Sequence, residues 1–272
     1  MLNAVMTTYN RKALSVACVE SLKKAYSGKI LLTDADAGST DGTAEALKAM
    51  EDEKLKVKVI GIPSDCFWNM GMRKGLKAAL SKTDDNDLVL LLNDDVVFYE
   101  NSLDELEALL LRKDAAAVVG AFKDGSGCFT YGGVRQTSSR FARFEPIYPG
   151  KDILCDTFNC NCLLTKKKVL KATGNLDRHY VHSLGDYDLG LRMKALSLPV
   201  FSAEEYTGEC ETNKDEGSWK DASLSMKKRL RLKESPRGLP FKDWFYFVRK
   251  HYGVCAALYH SLTPYIRILI RK

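Results

Sequence analysis

The chain has 272 residues, 45% of them apolar, with eight cysteines and a formal charge of +6. That length supports one sizeable α/β core and excludes a short disulfide-stapled module; the scattered cysteines form no paired CxxC elements, which excludes a zinc ribbon and points to reduced thiols in a cytosolic protein. A strand-like run follows Met1 directly and no apolar stretch reaches the roughly 18 residues of a membrane span, so a soluble or peripheral protein is expected.

Over the first 120 residues short apolar runs alternate with amphipathic ones, a pattern that predicts βαβ units and a largely parallel sheet. Strands are expected at residues 2–6, 30–33, 57–60, 88–92 and 116–121. Leu14, Cys18, Leu22 and Tyr26 recur every four residues as a helical stripe that Gly28 stops, and further helices are expected at 43–50, 69–81 and 103–112. Residues 123–151, rich in Gly, Ser and aromatics, predict a mobile loop or hairpin that either closes over a ligand or is a surface excursion. A strand at 156–165, a helix from Lys166, a turn at Gly174 and a helix after Gly185-Asp186-Tyr187-Asp188 follow. From about Trp219 the chain becomes basic and helical.

Charge is unevenly spread. Residues 227–272 hold twelve Lys and Arg against Glu234 and Asp243, a local balance of +10, whereas the first 226 residues carry 29 basic and 33 acidic side chains. Aromatics interleaved with these cations suit an anionic membrane surface, and equally a solvated helical face packed on the core. RNP, KH and zinc-knuckle patterns are absent, so nucleic acid is not an expected partner.

Ligands of open α/β sheets lie beyond the carboxyl ends of the strands, which directs attention to the loops there. Thr7, Thr8, Tyr9, Asn10 and Arg11 follow the first strand, and residues 34–43 (DADAGSTDGT) the second. An aspartate in that second loop can accept the N3–H of uracil or thymine, although the same composition also makes a helix-capping turn. After the third strand, Asn69, Arg73 and Lys74 stand near a helix start able to face a diphosphate, beside Trp68, a residue type that is as readily core. Asn93-Asp94-Asp95 interrupts the apolar LVLLL run; carboxylates ending a buried strand are costly unless paired or metal-bound, and oxygen ligands suit Mg²⁺ or Mn²⁺ shared with phosphates. A polar turn at the sheet edge is the alternative. In Gly185-Asp186-Tyr187-Asp188 one aspartate can cap the helix and the other act as general base.

In this order and at these intervals, TTYNR, DAGSTDGT, NDDV and GDYDLGLR resemble the nucleotide-sugar motifs of glycosyltransferase family 2 over roughly residues 1–210, and FWNMGMRKG resembles its rhamnosyltransferase-like branch. The resemblance implies a GT-A (Rossmann-like) α/β fold, a mixed but mainly parallel sheet flanked by helices, here followed by the basic helical C-terminal extension. It also implies a UDP- or dTDP-sugar donor, a divalent metal (Mn²⁺ or Mg²⁺) and an inverting displacement onto a hydroxyl of a glycan or lipid-linked oligosaccharide. Residue by residue, Thr8 and Tyr9 would line the nucleoside pocket, Asp36 would contact the pyrimidine, and Asp186 would be the catalytic base. Asn93 and Asp95 would be the first and last positions of the metal-binding DxD motif, with Asp95 the metal ligand. The expected nucleotide-binding set is Thr7, Thr8, Tyr9, Asn10, Arg11, Asp36, Trp68, Asn69, Arg73, Lys74, Asn93 and Asp94. Residues 1–122 would form the nucleotide-sugar half, 123–218 the acceptor-binding and catalytic half, and 219–272 the extension, on the cytoplasmic face of the membrane. Three departures stand out: an amide at Asn93, Gly185 where the family has Glu before the base, and no His in SAEEYTGECETN, where the family often has one. A nucleotidyltransferase is the rival enzyme, but the Gly-rich, Lys-bearing phosphate loop is missing; an inactive sugar-nucleotide or glycan-binding module is the rival of another class.

Overall fold

The computed structural model describes residues 1–212 and 215–270, apart from the side chain of Lys82; Asn213 and Lys214, and Arg271 and Lys272 at the end of the expected extension, lie outside the described residues. The chain begins with β1 (Leu2–Thr8), α1 (Lys12–Ala25), β2 (Ile30–Asp36), α2 (Thr43–Ala49), β3 (Leu55–Gly61), α3 (Trp68–Ala79), β4 (Leu88–Leu92), β5 (Val97–Phe98) and α4 (Ser102–Arg112). β1 pairs in parallel with β2 and β4, and β2 with β3, so the order β3-β2-β1-β4 brings the carboxyl ends of four strands to one edge. LVLLL is continuous because both faces of β4 are covered: Leu88, Leu90 and Leu92 join one core with Leu22 and Leu106, while Val89 and Leu91 join a second with Met72 and Leu76.

Next come β6 (Ala117–Lys123), β7 (Phe129–Tyr131), β8 (Gly133–Gln136), β9 (Phe144–Ile147), β10 (Leu154–Cys155), β11 (Thr157–Phe158), β12 (Cys162–Lys166), α5 (Lys167–Thr173), α6 (Gly185–Ala195) and β13 (Val200–Glu209). The main sheet runs β10-β13-β6-β12-β4-β1-β2-β3, with β5 on β13 and β7 on β6. β12 is antiparallel to both β4 and β6 and so makes the sheet mixed.

Of the loop or hairpin expected at residues 123–151, the structure forms hairpins: β7 turns back on β6, and β8 pairs with β9 and β11 in a small second sheet. Ile147 and Val134, buried among the aromatic and polar residues of this stretch, hold it to the core. A second local expectation needs correction: residues 156–165 are two strands rather than one, broken at 159–161 where Asn159 N bonds Gly132 O and Asn93 N bonds Asn161 O.

The chain ends in α7 (Met226–Lys233), α8 (Phe241–Tyr252) and α9 (Val254–Ile270). Phe247 and Val248 of α8 share a small core with Tyr180 and Leu191, so these helices are seated on α6 and the loop before it. No helix among the described residues is long and apolar enough to cross a membrane.

Candidate active site

At the carboxyl edge of β1, β2 and β4 a cleft of about 650 Å³ opens between Thr7, Thr8, Tyr9 and Arg11, the segment leading into α3 (Ser64, Cys66, Phe67) with Trp68 at its start, Asn93 to Asp95, and Ser235, Pro236 and Arg237. A recess of about 390 Å³ continues from it, sharing Trp68, Asn93, Asp95 and His182 and reaching Asn159, Asp186, Tyr187 and Trp244. Asp95 and Asp186, 91 positions apart in sequence, thus line one continuous hollow.

The floor is acidic. Thr8 Oγ1 donates within 3.0 Å of both carboxylate oxygens of Asp34 and lies 3.3 Å from Asp36 Oδ1. Asp34 has no exposed surface; burial pushes its carboxyl up to about 7, against the Thr8 hydrogen bond. Asp36 accepts the backbone N–H of Gly38 and Ser39 at 3.2 and 3.0 Å, so it closes a turn just beneath the wall formed by Thr8 and Ala37. Arg11 Nη1 spans Asp94 at 3.1 Å and Asp95 at 2.9 Å. Burial nevertheless raises the Asp94 carboxyl to about 6, opposed by Arg11. Asn93 Oδ1 accepts the indole N–H of Trp68 at 2.7 Å, which holds that half-buried ring, packed against the core of Val89 and Leu91, as a wall shared by the two hollows. A neutral amide there spares Asp94 and Asp95 a third neighbouring charge.

Asp186 sits in the first turn of α6, behind Leu184, whose φ of +74° is strained for a branched side chain. Its carboxylate accepts Tyr187 N at 2.8 Å and Cys160 N at 3.4 Å and forms no ion pair among the described residues; burial lifts it to about 6. Asp188 is its opposite. Fully buried, it meets Arg192 Nε at 2.8 Å, Lys250 Nζ at 2.6 Å and His251 Nε2 at 2.9 Å. Burial works to raise its carboxyl, but the hydrogen bonds of His251 and Lys250 and the charge of Arg192 outweigh this and hold it at about 2. Neither aspartate caps α6 through its side chain. Asp188 is the ionic brace between α6 and α8, and Asp186 is the carboxylate left facing the recess.

Five expected site residues line neither hollow: Asp36, whose carboxylate is turned into the Gly38–Ser39 turn behind Thr8 and Ala37, and Asn10, Asn69, Arg73 and Lys74. Asn10 ties two loops together, its N–H to Ser39 Oγ at 2.9 Å and its Oδ1 to Thr40 N at 2.7 Å. Asn69, fully buried, donates Nδ2 to Asp177 O at 2.9 Å and Tyr180 O at 2.6 Å; Arg73 Nη1 donates to Leu176 O at 2.6 Å. α3 begins only at Trp68, so positions 69 and 73, one turn apart, present one face to the 176–180 loop. Lys74 is half-buried beside them. Thr7, Thr8, Tyr9, Arg11, Trp68, Asn93, Asp94 and Asp95 do line the cleft.

Several wall residues lay outside the sequence expectations. His182 belongs to both hollows; its Nδ1 is buried without a partner among the described residues, and burial lowers its basicity to about 4, leaving a neutral imidazole. Its one sequence signal is its place four residues before Asp186. Arg237, 5.9 Å from the Phe67 ring, comes from the extension and had no motif to mark it. Cys210 occupies the region where a late His was missed: its Sγ is 3.9 Å from Asp95 Oδ1, while Glu209 bonds Tyr99 and Glu211 bonds Gly125 N. Burial keeps that thiol protonated, its pKa pushed up to about 12.

The model of glycosyl transferase family 2 matches residues 4–172, which spans β1 to α5 and stops short of Asp186. No curated protein sequence matches the chain. Among solved structures, S. aureus TarS 1–349 has a TM-score of 0.57 at 14% identity, with 99% of this chain and 81% of that 1–349 fragment covered. TarS 1–349 in complex with UDP-GlcNAc gives 0.58 at 14%, covering 99% and 72%. The mannosyltransferase PcManGT from Pyrobaculum calidifontis, in complex with GDP-Man and Mn²⁺, gives 0.58 at 14%, covering 98% and 73%. At these identities the likeness is one of fold, and the fold is GT-A.

Proposed function

The chain belongs to glycosyl transferase family 2, and on that premise we propose that it transfers a sugar, with inversion, from a UDP- or dTDP-sugar to a hydroxyl of a glycan or lipid-linked oligosaccharide. The observation that carries this reading is the continuity of the hollow: an acidic cation-ready end at Asp95 and an isolated carboxylate, Asp186, at the other, with Trp68 and His182 between.

In this reading Tyr9 and Phe67 flank the nucleoside, with Thr8 and Ala37 against its base and Asp36 behind them. Arg11 and Arg237 face the diphosphate. Asp186 takes the proton from the acceptor hydroxyl as that oxygen bonds to the anomeric carbon. The bond to the diphosphate breaks on the opposite side, and the electron pair leaves with the nucleoside diphosphate. A carboxylate raised to about 6 suits a base working near neutral pH. Guanidinium groups aimed at the leaving diphosphate stabilise charge that grows in the transition state.

The residues present fit a divalent ion only in part. Asn93 is bonded to Trp68 and Asp94 is nearly buried against Arg11 and Ser15, whereas Asp95, which shares Arg11 through Oδ2, is the more exposed of the two, so Asp95 is the carboxylate more open to an ion. The described residues hold no group of three His, Cys, Asp or Glu suited to a metal. Mg²⁺ and Mn²⁺ bind through one carboxylate plus substrate phosphates, so Asp95 would hold the ion together with the donor, and the ion when bound would neutralise the diphosphate.

Residues 1–122 then act as the donor half and 123–218 as the acceptor half, while 219–272 contributes Arg237 to one recess and Trp244 to the other. Along α9, Val254, Leu258, Leu262, Ile266 and Ile270 are all exposed at helical spacing, beside exposed Arg267. That stripe supports work at an anionic membrane surface, consistent with surface polysaccharide assembly on the cytoplasmic face.

The test is a panel of UDP-, dTDP- and GDP-sugars with and without Mn²⁺, read by thermal shift and by product. A donor at 100 times its Kd adds about 2.7 kcal/mol to stability. Turnover should release nucleoside diphosphate and no pyrophosphate. Pyrophosphate release, or no shift with any sugar nucleotide, would overturn the reading.

A further inference from the structure

On the far side of Trp244 lies a second cavity, of about 630 Å³, within the size range of about 300–1,000 Å³ usual for ligand sites. It is enclosed by the turn before β9, the segment from Asp215 to Lys220, and the inner faces of α7, α8 and α9. Among the described residues, four cations line it (Arg143, Lys220, Arg229, Arg267) against one carboxylate, Asp215. Two of the four are committed. Arg229, almost fully buried, donates Nε to Trp219 O at 3.1 Å and Nη1 to Ile268 O at 3.4 Å, and Lys220 pairs with Asp215 at 3.0 Å.

Arg143 and Arg267 are not committed. Neither side chain makes a hydrogen bond or ion pair among the described residues; Arg143 only lies over the Phe141 ring at 5.6 Å. His260 registers both. Burial lowers its basicity first, and the charges of Arg143 and Arg267 lower it further, so two guanidinium groups from different elements converge on one imidazole. Its Nε2 accepts Ala142 N at 3.2 Å, which fixes the β8–β9 turn to α9. Two unpaired guanidinium groups facing one cavity repel each other, and their planar donor forks match the oxygens of a phosphate.

Trp244 gives this site a direction. Its indole N–H donates to His260 O at 3.0 Å, its ring stacks on Phe247 at 5.6 Å, and it forms part of the wall of both this cavity and the recess that holds Asp186. We propose that the cavity binds a phosphate group of the acceptor, the acceptor chain passing Trp244 to present its hydroxyl at Asp186. The acceptor is therefore anionic, a phosphate-bearing glycan carrier rather than a neutral oligosaccharide. This step rests on Asp186 being the base; the phosphate site itself does not.

The experiment follows the histidine side-chain resonances, of which the chain has four, in the full-length protein and in Arg143→Ala/Arg267→Ala. Both arginines are exposed and unbonded, so the variant should melt at the parent temperature. Inorganic diphosphate should move the His260 resonances saturably in the parent, and at least tenfold more diphosphate should be needed in the variant. Movement confined to His182, or an unchanged His260 response in the variant, would overturn the site. Geranyl diphosphate and a glycerol phosphodiester oligomer then separate the sources: tighter binding of the first marks a lipid headgroup, of the second a phosphodiester polymer. With the better probe's class as acceptor, kcat/KM for transfer should fall tenfold or more in the variant while UDP binding is unchanged. Equal transfer by parent and variant would refute the acceptor path. Absence of UDP binding in both would instead strike the donor reading and leave the His260 result standing.

Discussion

The family resemblance leads to the expectation of Glu at position 185, and Asn69 supplies a measurable reason for the glycine found there. A Cβ built on Gly185 would lie 1.8 Å from Asn69 Oδ1 and 2.7 Å from its Cγ. Asn69 cannot simply swing aside, because it is fully buried and its Nδ2 holds the carbonyls of Asp177 and Tyr180. Gly185→Ala therefore forces the loss of two buried hydrogen bonds, about 2–4 kcal/mol together. For a chain of this size that is a fall in Tm of roughly 4–12 °C. The 177–182 loop carries His182 into the cleft, so sugar-nucleotide affinity should weaken as well. Asn69→Ala costs a similar amount by the same two bonds but vacates the space that a methyl group at position 185 needs. The double variant should then be no less stable than Asn69→Ala alone, a coupling of about 2 kcal/mol or more in a double-mutant cycle read by urea denaturation. If the two changes add to within about 0.5 kcal/mol, Asn69 is not what excludes a side chain at 185.

Asp186→Asn should lower kcat by at least about a hundredfold with little change in donor Kd, as expected for a lost general base; weakened donor binding at normal turnover would move the base elsewhere. In the parent, kcat should fall as pH drops through about 6, the value to which burial lifts Asp186, and a profile flat down to pH 5 would count against that role. Asp95→Ala should abolish any Mn²⁺ dependence of donor affinity in titration calorimetry, and an unchanged dependence would place the ion elsewhere. Leu258→Glu/Leu262→Glu, on the exposed face of α9, should reduce binding to phosphatidylglycerol vesicles while leaving Tm near the parent value; undiminished binding would show that this stripe is not the contact. Asp34 has a folded pKa raised from 3.8 to about 7, so its protonated form is favoured by folding. Its contribution is fully present below about pH 4 and is lost as pH rises through about 7, roughly 4 kcal/mol at most. Asp34→Asn should flatten that decline between pH 5 and 8.5, and identical slopes in the two proteins would show that Asp34 stays ionised throughout.

The alternation of apolar runs and helical stripes was enough to read the parallel β3-β2-β1-β4 edge, because periodicity is a local property of the chain. LVLLL announced a strand covered on both faces, and the polar loops after β1 and β4 marked the cleft, since parallel strands must all end on the same side. Which polar residues face that cleft was a different matter. Asn69 and Arg73 look like donors at a helix start, yet the phase of α3 turns them onto the 176–180 loop. Residue type and spacing left Asp186 and Asp188 open, and the family resemblance alone named Asp186 as the base; their environments differ because α8, more than sixty residues later, delivers Lys250 and His251 to Asp188 and leaves Asp186 without an ion pair among the described residues. Arg237, Trp244 and His182 enter the hollow from segments with no motif at all. Local pattern determined the elements and the side of the sheet on which ligands bind. The charge state and partner of each carboxylate depended on burial and on contacts between distant segments, which exist only once the chain has packed.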